Sequence, residues 1–189
     1  MKNTKVLAPV LALLCLCAAL CAGCGEKDPY PSTATAEEIF TRVMEKAAQC
    51  SERDGTEYFG NGLIYVSDGS GKELGDGEKS YYYGTVSEDP DFSCVEQYAL
   101  WTATDPVSTE FGVFKVARME DTQTVFDFLK VRTSTLEQNA KDYNAAEYEK
   151  AQNALIAYHG RYVYYLVTSI NHELEDVIRD VIAEYAAGN

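Results

Sequence analysis

Apolar residues recur at three- and four-residue spacings in three long stretches of the chain, which predicts three amphipathic helices. The expected helices span about 36–50, 119–142 and 171–187, and a shorter one spans 145–152. Thr35 and Glu38 form a capping box before the first helix, and Asn171 is the expected N-cap of the last helix. The apolar stripe of each long helix needs a partner surface.

Strand patterns lie between these helices. QYALWTAT at 97–104 alternates between two faces, and FGVFKVA at 111–117 follows a TDPVSTE turn. ALIAYHGRYVYYLVT at 154–168 predicts a hairpin that turns at Gly160. The sequence therefore predicts an α+β fold, with an antiparallel sheet of about four strands in ββαββα order and helices packed mainly on one face.

The stretch 51–79 is rich in Gly, Asp and Glu and is expected to be a mobile acidic loop, with a short hairpin around 63–66. An EF-hand loop that begins at Asp68 would place Lys72 at its fifth position, where a calcium ligand is needed. A phosphate-binding loop needs Ser or Thr after Gly71 and Lys72, but Glu73 follows them. Neither type of site is therefore predicted.

The first residues have the pattern of an export signal. Lys2 and Lys5 precede an apolar run at 6–22, whose length suits a signal peptide better than a permanent membrane span. The run ends in Ala22, Gly23 and Cys24, which resembles the lipobox of bacterial lipoproteins, although Cys21 stands where that motif usually has Leu. The alternatives are an uncleaved signal anchor and an ordinary secretory signal.

The lipobox resemblance implies cleavage before Cys24, so residues 1–23 would be a signal peptide and Cys24 the lipidated residue. Several acyl chains on one residue give stable membrane anchoring. Residues 24–35 are then expected to be a tether, and 36–189 a single domain. Within the domain, 36–80 holds the first helix and the acidic loop, and 81–186 is the core.

The chain is strongly acidic, with 30 Asp and Glu against 16 Lys and Arg and a net charge of −14. Loss of Lys2 and Lys5 with the signal makes the net charge −16. Such a surface is repelled by phosphate backbones and anionic headgroups, which argues against nucleic acid as a partner. The membrane contact is therefore expected to be the lipid at Cys24.

Two cysteines remain after Cys24, namely Cys50 and Cys94. Outside the cytoplasm they can persist as a disulfide, which would constrain the unfolded chain by about 4 kcal/mol. The alternative is two separately buried thiols, which the sequence favours.

The succession of Tyr83 and Gly84, an acidic turn, QYALWTA, FGVFKVA and HGRYVYYLVT resembles small bacterial lipoproteins that carry domain of unknown function 4358. The resemblance covers about 81–186. It implies a Gram-positive surface lipoprotein on the extracytoplasmic face of the cell membrane. It provides no catalytic or ligand-binding residues to transfer.

Catalytic and metal-binding motifs are not found in the sequence. His159 and His172 have no Cys, Asp or Glu at metal-ligand spacing on a shared face, and no GxSxG, HExxH or Gly-rich dinucleotide turn occurs. A nucleophilic Cys94 would need a base that the sequence does not locate. We therefore expect a non-enzymatic protein without a cofactor.

Aromatic residues are dense in the strands and suggest a binding face. If helices cover one face of the sheet, the other would display Tyr162 and Tyr164 close to Tyr98, which suits an envelope protein, peptide or glycan. In the alternative, the first helix covers that face. The expected function is thus a lipid-anchored binding module, and the other candidates are a hydrolase or thiol-based enzyme and a structural subunit of an envelope complex.

Overall fold

A five-stranded antiparallel sheet forms the centre of the structure, a computed structural model that describes residues 27–69, 71–142 and 144–186. The strands lie in the order β1-β2-β3-β5-β4. Their bounds are β1 Gly62–Val66, β2 Val95–Ala103, β3 Glu110–Val116, β4 Leu155–His159 and β5 Tyr162–Val167. The α+β class and the antiparallel sheet are confirmed, with one strand more than expected.

Five α-helices accompany the sheet in the described part of the chain. They are α1 Ala36–Asp54, α2 Asp76–Tyr83, α3 Thr122–Lys141, α4 Ala145–Gln152 and α5 Asn171–Glu184. The capping box at Thr35 is present, since the Glu38 amide donates to Thr35 Oγ1 and the Thr35 amide donates to the Glu38 carboxylate. The prediction for Asn171 was wrong, because Ile170 is the N-cap and the Asn171 side chain accepts from the Thr168 amide instead.

The acidic stretch 51–79 is more ordered than its composition suggests, because it contains β1 and part of α2. Tyr65 and Leu74 are buried in it, and the Leu74 amide donates to the Tyr98 hydroxyl at 2.8 Å. Lys72 donates to Glu78 at 2.7 Å and to the Tyr65 hydroxyl at 3.1 Å. A few buried contacts thus hold a segment that is otherwise polar.

Helices cover both faces of the sheet, rather than mainly one. Helices α1 and α5 pack on the face that carries Trp101, Phe111 and Tyr164. Helix α3 packs on the opposite face, which carries Phe114 and Tyr165. All residues of β3 and β5 are buried, so each strand has two inward faces. Each large apolar side chain buried in this way contributes about 1.5–3 kcal/mol to folding.

A buried ion pair joins Glu110 in β3 to Arg132 in α3. Arg132 donates from Nε to Glu110 Oε1 at 2.7 Å and from Nη2 to Oε2. The same carboxylate accepts hydrogen bonds from Tyr165 at 2.5 Å and from Thr102 at 2.9 Å. A buried carboxylate is tolerated only with such partners. This network therefore fixes α3 to three adjacent strands.

Gly112 allows the Tyr165 ring to lie across β3 toward Glu110. It is the partner of Tyr165 in the β3–β5 register, and a Cβ atom at this position would lie 2.7 Å from a ring carbon of Tyr165. A larger residue would therefore displace the ring. Burial and the negative charge of Glu110 raise the pKa of Tyr165 well above its ordinary value, so its hydroxyl remains a donor at neutral pH.

The segment 28–35, which the sequence predicted as part of a tether, is bound to the domain, and we call it the strap. The Thr33 amide donates to the Tyr185 carbonyl at 2.9 Å. The buried Ala34 carbonyl accepts from the Tyr162 hydroxyl at 2.7 Å and from Lys115 Nζ at 3.0 Å. A free tether would make no such bonds.

The first residues of the strap lie on the β4–β5 turn. Gly160 has a φ of +57°, and a Cβ atom there would lie 2.6 Å from Asp28 Oδ1. Arg161 Nε lies 3.6 Å from Asp28 Oδ2, and the Tyr30 ring stacks on His159 with centroids 3.8 Å apart. The strap is thus held from Asp28 onward.

The strap defines one end of the sheet. The β4–β5 turn, the C-terminal end of β3 and the N-terminal end of β2 lie together there, since the Val116 amide donates to the Arg161 carbonyl and Val95 pairs with Val116. We call this the strap end. The opposite end, which we call the far end, brings together Ala103, Glu110, Leu155 and Val167.

The buried ion pair gives a test of the fold. Replacement of Arg132 by Met leaves Glu110 buried without its cation, so we expect the free energy of unfolding to fall by about 3–5 kcal/mol in urea denaturation. Addition of Glu110→Gln should recover part of this loss. As a control, Arg42→Met removes a half-exposed partner of Glu184 and should cost less than about 1 kcal/mol. Equal losses for the two arginine variants would contradict this role.

Candidate functional site

The tyrosines expected to form an exposed binding face are buried, so that prediction was wrong. Tyr98 is 6% exposed, Tyr162 0% and Tyr164 1%. Tyr162 and Tyr164 lie under α1 and α5, whereas Tyr98 lies on the opposite face of the sheet, against the acidic segment. Their hydroxyls bond within the domain: that of Tyr164 donates to Glu175 at 3.2 Å. The first helix covers the face, as the alternative interpretation held.

Cys50 and Cys94 are free thiols and do not form the disulfide considered from the sequence. Cys50 is buried on the α1 and α5 face, whereas Cys94 packs on the α3 face. Burial raises the pKa of both thiols, and Glu173, which accepts a hydrogen bond from Cys50, raises that of Cys50 further. A raised pKa disfavours the reactive thiolate.

The two histidines lie at opposite ends of the sheet. His159 is at the strap end, where burial and then the charge of Arg179 lower its pKa. His172 is in the first turn of α5, with Nδ1 3.8 Å from Glu175 Oε2. Among residues 27–69, 71–142 and 144–186, no group of three or more His, Cys, Asp or Glu is arranged to hold a metal ion.

Cys24 and the predicted signal peptide, residues 1–23, lie outside the described residues. Among the helices that are described, none combines the length and apolar character needed to cross a bilayer.

Three adjoining depressions at the far end of the sheet form the candidate site, and we call them together the end cleft. Their volumes are about 240, 530 and 760 Å³. Glu147 lines the first and second, and Lys150, Thr168 and Ser169 line the first and third. Helix α4 therefore lies in the middle of the cleft.

The centre of the end cleft is a polar cluster between α4 and the start of β3. Glu147 accepts hydrogen bonds from the Ser108 amide at 2.7 Å and from Ser108 Oγ at 2.8 Å. Lys150 Nζ donates to Thr109 Oγ1 at 2.8 Å and to both carboxylate oxygens of Glu147 at 2.8 and 3.0 Å. Glu110, the first residue of β3, follows Thr109 in the chain, so this polar cluster lies next to the buried ion pair.

A second set of hydrogen bonds shapes the wall beside α5. Asn171 Oδ1 accepts from the amide and the hydroxyl of Thr168, at 2.8 and 2.9 Å. Asn171 Nδ2 donates to the Asn153 carbonyl at 2.8 Å. Asn171 thus joins α5 to the end of α4, and Ser169 remains exposed between them.

The cluster has a defined ionisation state. Burial alone would raise the pKa of Glu147, but its hydrogen bonds with Lys150 and Ser108 outweigh burial and lower the pKa below its usual value. Lys150 Nζ has three acceptors, namely Thr109 Oγ1 and the two carboxylate oxygens of Glu147, so all three of its donor positions are used within the cluster. The arrangement offers hydroxyls and carboxylates in a concave surface, which suits ligand binding by hydrogen bonds.

Sequence patterns do not reveal this site. They predict the TDPVSTE turn at 104–110 and the short helix at 145–152, but they assign no chemistry to either. Ser108 and Glu147 are separated by 39 positions, and no periodicity relates them. The available signal was the Glu147 and Lys150 pair at i and i+3, which is common on exposed helices and therefore weak.

The lowered pKa of Glu147 predicts a pH-dependent contribution to stability. The contribution is fully present above the ordinary pKa of 4.5 and is lost as the pH falls through the folded-state value. Glu147→Gln should therefore lower the free energy of unfolding by about 1–3 kcal/mol at about pH 7, and the difference should shrink near about pH 3. Glu149→Gln, on the exposed side of α4, is the control and should show little change at either pH. A constant deficit for Glu147→Gln across this range would argue against the assignment.

Comparison with known proteins finds a family match for part of the chain. Residues 91–168 match the family model described as a domain of unknown function, DUF4358. The match runs from β2 to the end of β5 and includes Ser108, Glu147, Lys150 and Thr168, but not α1, α2 or α5. No curated protein and no solved structure matches the chain. The resemblance seen in the sequence is therefore confirmed over residues 91–168, which are similar to the DUF4358 family.

Proposed function

We propose that this protein is a lipid-anchored, extracytoplasmic binding module at the cell membrane, and that the end cleft is its binding surface. The anchor is diacylglyceryl-modified Cys24, as the lipobox pattern of Ala22, Gly23 and Cys24 implies. The observation that carries the proposal is the position of the cleft. It lies at the far end of the sheet, whereas the chain arrives from Cys24 at the strap end.

The end cleft replaces the tyrosine face as the binding surface, because both faces of the sheet are covered by helices. Its lining combines the hydroxyls of Thr56, Thr168 and Ser169 with the carboxylates of Glu57 and Asp105. Such groups suit a polar partner, which we take to be an envelope protein, peptide or glycan. We take the role to be non-enzymatic, and the ion pair of Lys150 with Glu147, which engages both charged groups at the centre of the cleft, supports this choice.

Anchoring is tested by two cysteine substitutions in the signal region. Cys24→Ala removes the sulfur that would carry the lipid, so the protein should leave the membrane fraction or retain its signal peptide. Cys17→Ala changes a cysteine of the apolar run that lies outside the lipobox, and it should leave membrane partitioning intact. The measurement is fractionation of producing cells combined with the intact mass of the protein. A Cys24→Ala protein that stays in the membrane fraction and differs in mass from the unsubstituted protein only by the changed side chain would disprove the anchor.

Binding at the end cleft is tested by photo-crosslinking on intact cells. A photoreactive phenylalanine analogue at the exposed Ser169 should give a discrete crosslinked product that mass spectrometry can identify. The same analogue at Val86, which is fully exposed in the loop between α2 and β2, is the control. The proposal fails if both positions give the same products or if position 169 gives none.

A further inference from the structure

We propose that the strap end of the domain lies against the lipid headgroups, with Tyr30 and Tyr158 at the interface, so that the end cleft points away from the membrane. This inference rests on the proposed lipid at Cys24. It adds a surface, an orientation and a partner, namely the lipid headgroup layer, which anchoring alone does not specify.

The free segment, which is the chain between Cys24 and the strap, limits the orientations that the domain can adopt on a membrane. Because the strap is held from Asp28 onward, four peptide steps separate it from Cys24. Four residues span at most about 14 Å. The seven residues of β3 make six steps and span about 20 Å from one end of the sheet to the other. The free segment is therefore shorter than the sheet, and it cannot reach the bilayer if the far end faces the lipid.

The contacts that hold the strap are distributed along its length and involve buried partners. Lys115 is 6% exposed, yet its ammonium donates to the Ala34 carbonyl, and Tyr162, which is fully buried, donates to the same oxygen. Farther along, the Ala36 amide donates to Gln97 Oε1 at 3.2 Å. Release of the strap would leave the Lys115 ammonium buried without this acceptor, which is costly. The strap is therefore an integral part of the domain.

Charge around the Gly160 turn is closer to balance than that of the chain as a whole, which carries a net charge of −14. The basic groups that interact there are Lys115, Arg161 and Arg179, and the acidic ones are Asp28, Glu38 and Glu96. At the same end, the segment after β3 adds Arg118, which pairs with Glu120 and Asp121. Repulsion from anionic lipid is therefore weaker around this turn than the net charge of the chain alone would give.

Two exposed aromatic side chains flank His159 at the strap end. Tyr30 is 51% exposed and stacks on the His159 ring, and Tyr158, the preceding residue in edge strand β4, is 58% exposed. Tyrosine is favoured at headgroup level because its ring is apolar and its hydroxyl is hydrated. These two residues are thus suited to the position in which the short free segment places them.

Orientation is tested by quenching of single tryptophans with brominated lipid. Trp101 is replaced by Phe, and one tryptophan is then introduced by Tyr158→Trp at the strap end or by Val107→Trp, which is 40% exposed, at the end cleft. The full chain is produced in a Gram-positive host, and the processed protein is reconstituted in phosphatidylcholine and phosphatidylglycerol vesicles with and without brominated phosphatidylcholine. Circular dichroism is recorded to check that each variant is folded.

We expect brominated lipid to reduce the fluorescence of the Tyr158→Trp protein about twofold or more, and that of the Val107→Trp protein by less than about a tenth. An insertion of about twenty Gly and Ser residues between Glu26 and Lys27 lengthens the free segment to roughly 25 Å on average, so quenching of Tyr158→Trp should fall. Equal quenching at the two positions, stronger quenching at Val107→Trp, or no quenching at either would overturn the proposal.

The intact mass of the same preparation separates this inference from the proposed anchor. If Cys24 carries no acyl group, the anchor proposal fails. A maleimide phospholipid is then attached to Cys24 in a Cys94→Ser chain produced without residues 1–23, in which the remaining thiol, Cys50, is buried. The quenching comparison is made on that protein with the same expected outcomes. The orientation is therefore measured whether or not the cell lipidates Cys24.

Discussion

The hydrogen bonds of Tyr162 and Lys115 to the Ala34 carbonyl fix the strap to the domain. They hold it at the strap end of the sheet, and the end cleft lies at the far end of the same antiparallel strands. The strap and the end cleft therefore lie at opposite ends of β3 and β5. This separation supports the proposed function, because anchoring through the strap would leave a binding surface at the far end directed away from the membrane.

The sheet owes its stability to burial on both faces, and this also determines where binding can occur. Every residue of β3 and β5 is buried, so neither strand contributes an exposed face. The Glu110 and Arg132 pair favours this packing over others, because the buried Glu110 carboxylate is satisfied only where Arg132, Tyr165 and Thr102 all bond to it. With the faces covered, concave surface is left at the end of the sheet, around α4.

Periodicity predicted the long helices, the β4–β5 hairpin and the antiparallel sheet, because these depend on local patterns. It failed for the tyrosines, since tyrosine in a strand satisfies both a buried and an exposed pattern. Tertiary packing decides between them: α1 and α5 cover Tyr162 and Tyr164, and the acidic segment covers Tyr98. It also failed for the strap, whose Pro-containing sequence resembles a linker but whose carbonyls meet Tyr162 and Lys115. Ser108 and Glu147, like Glu110 and Arg132, meet through tertiary contacts that no spacing encodes.

Hydrogen exchange of the strap amides tests the central claim most directly. The amides of Thr33, Thr35 and Ala36 donate to Tyr185, Glu38 and Gln97, respectively. In the purified protein, peptides that cover 30–36 should therefore exchange far more slowly than an unstructured chain. Protection close to that of α1 would support a strap that is part of the domain. Exchange at the rate of an unstructured peptide would show a free tether and would contradict the fixed orientation.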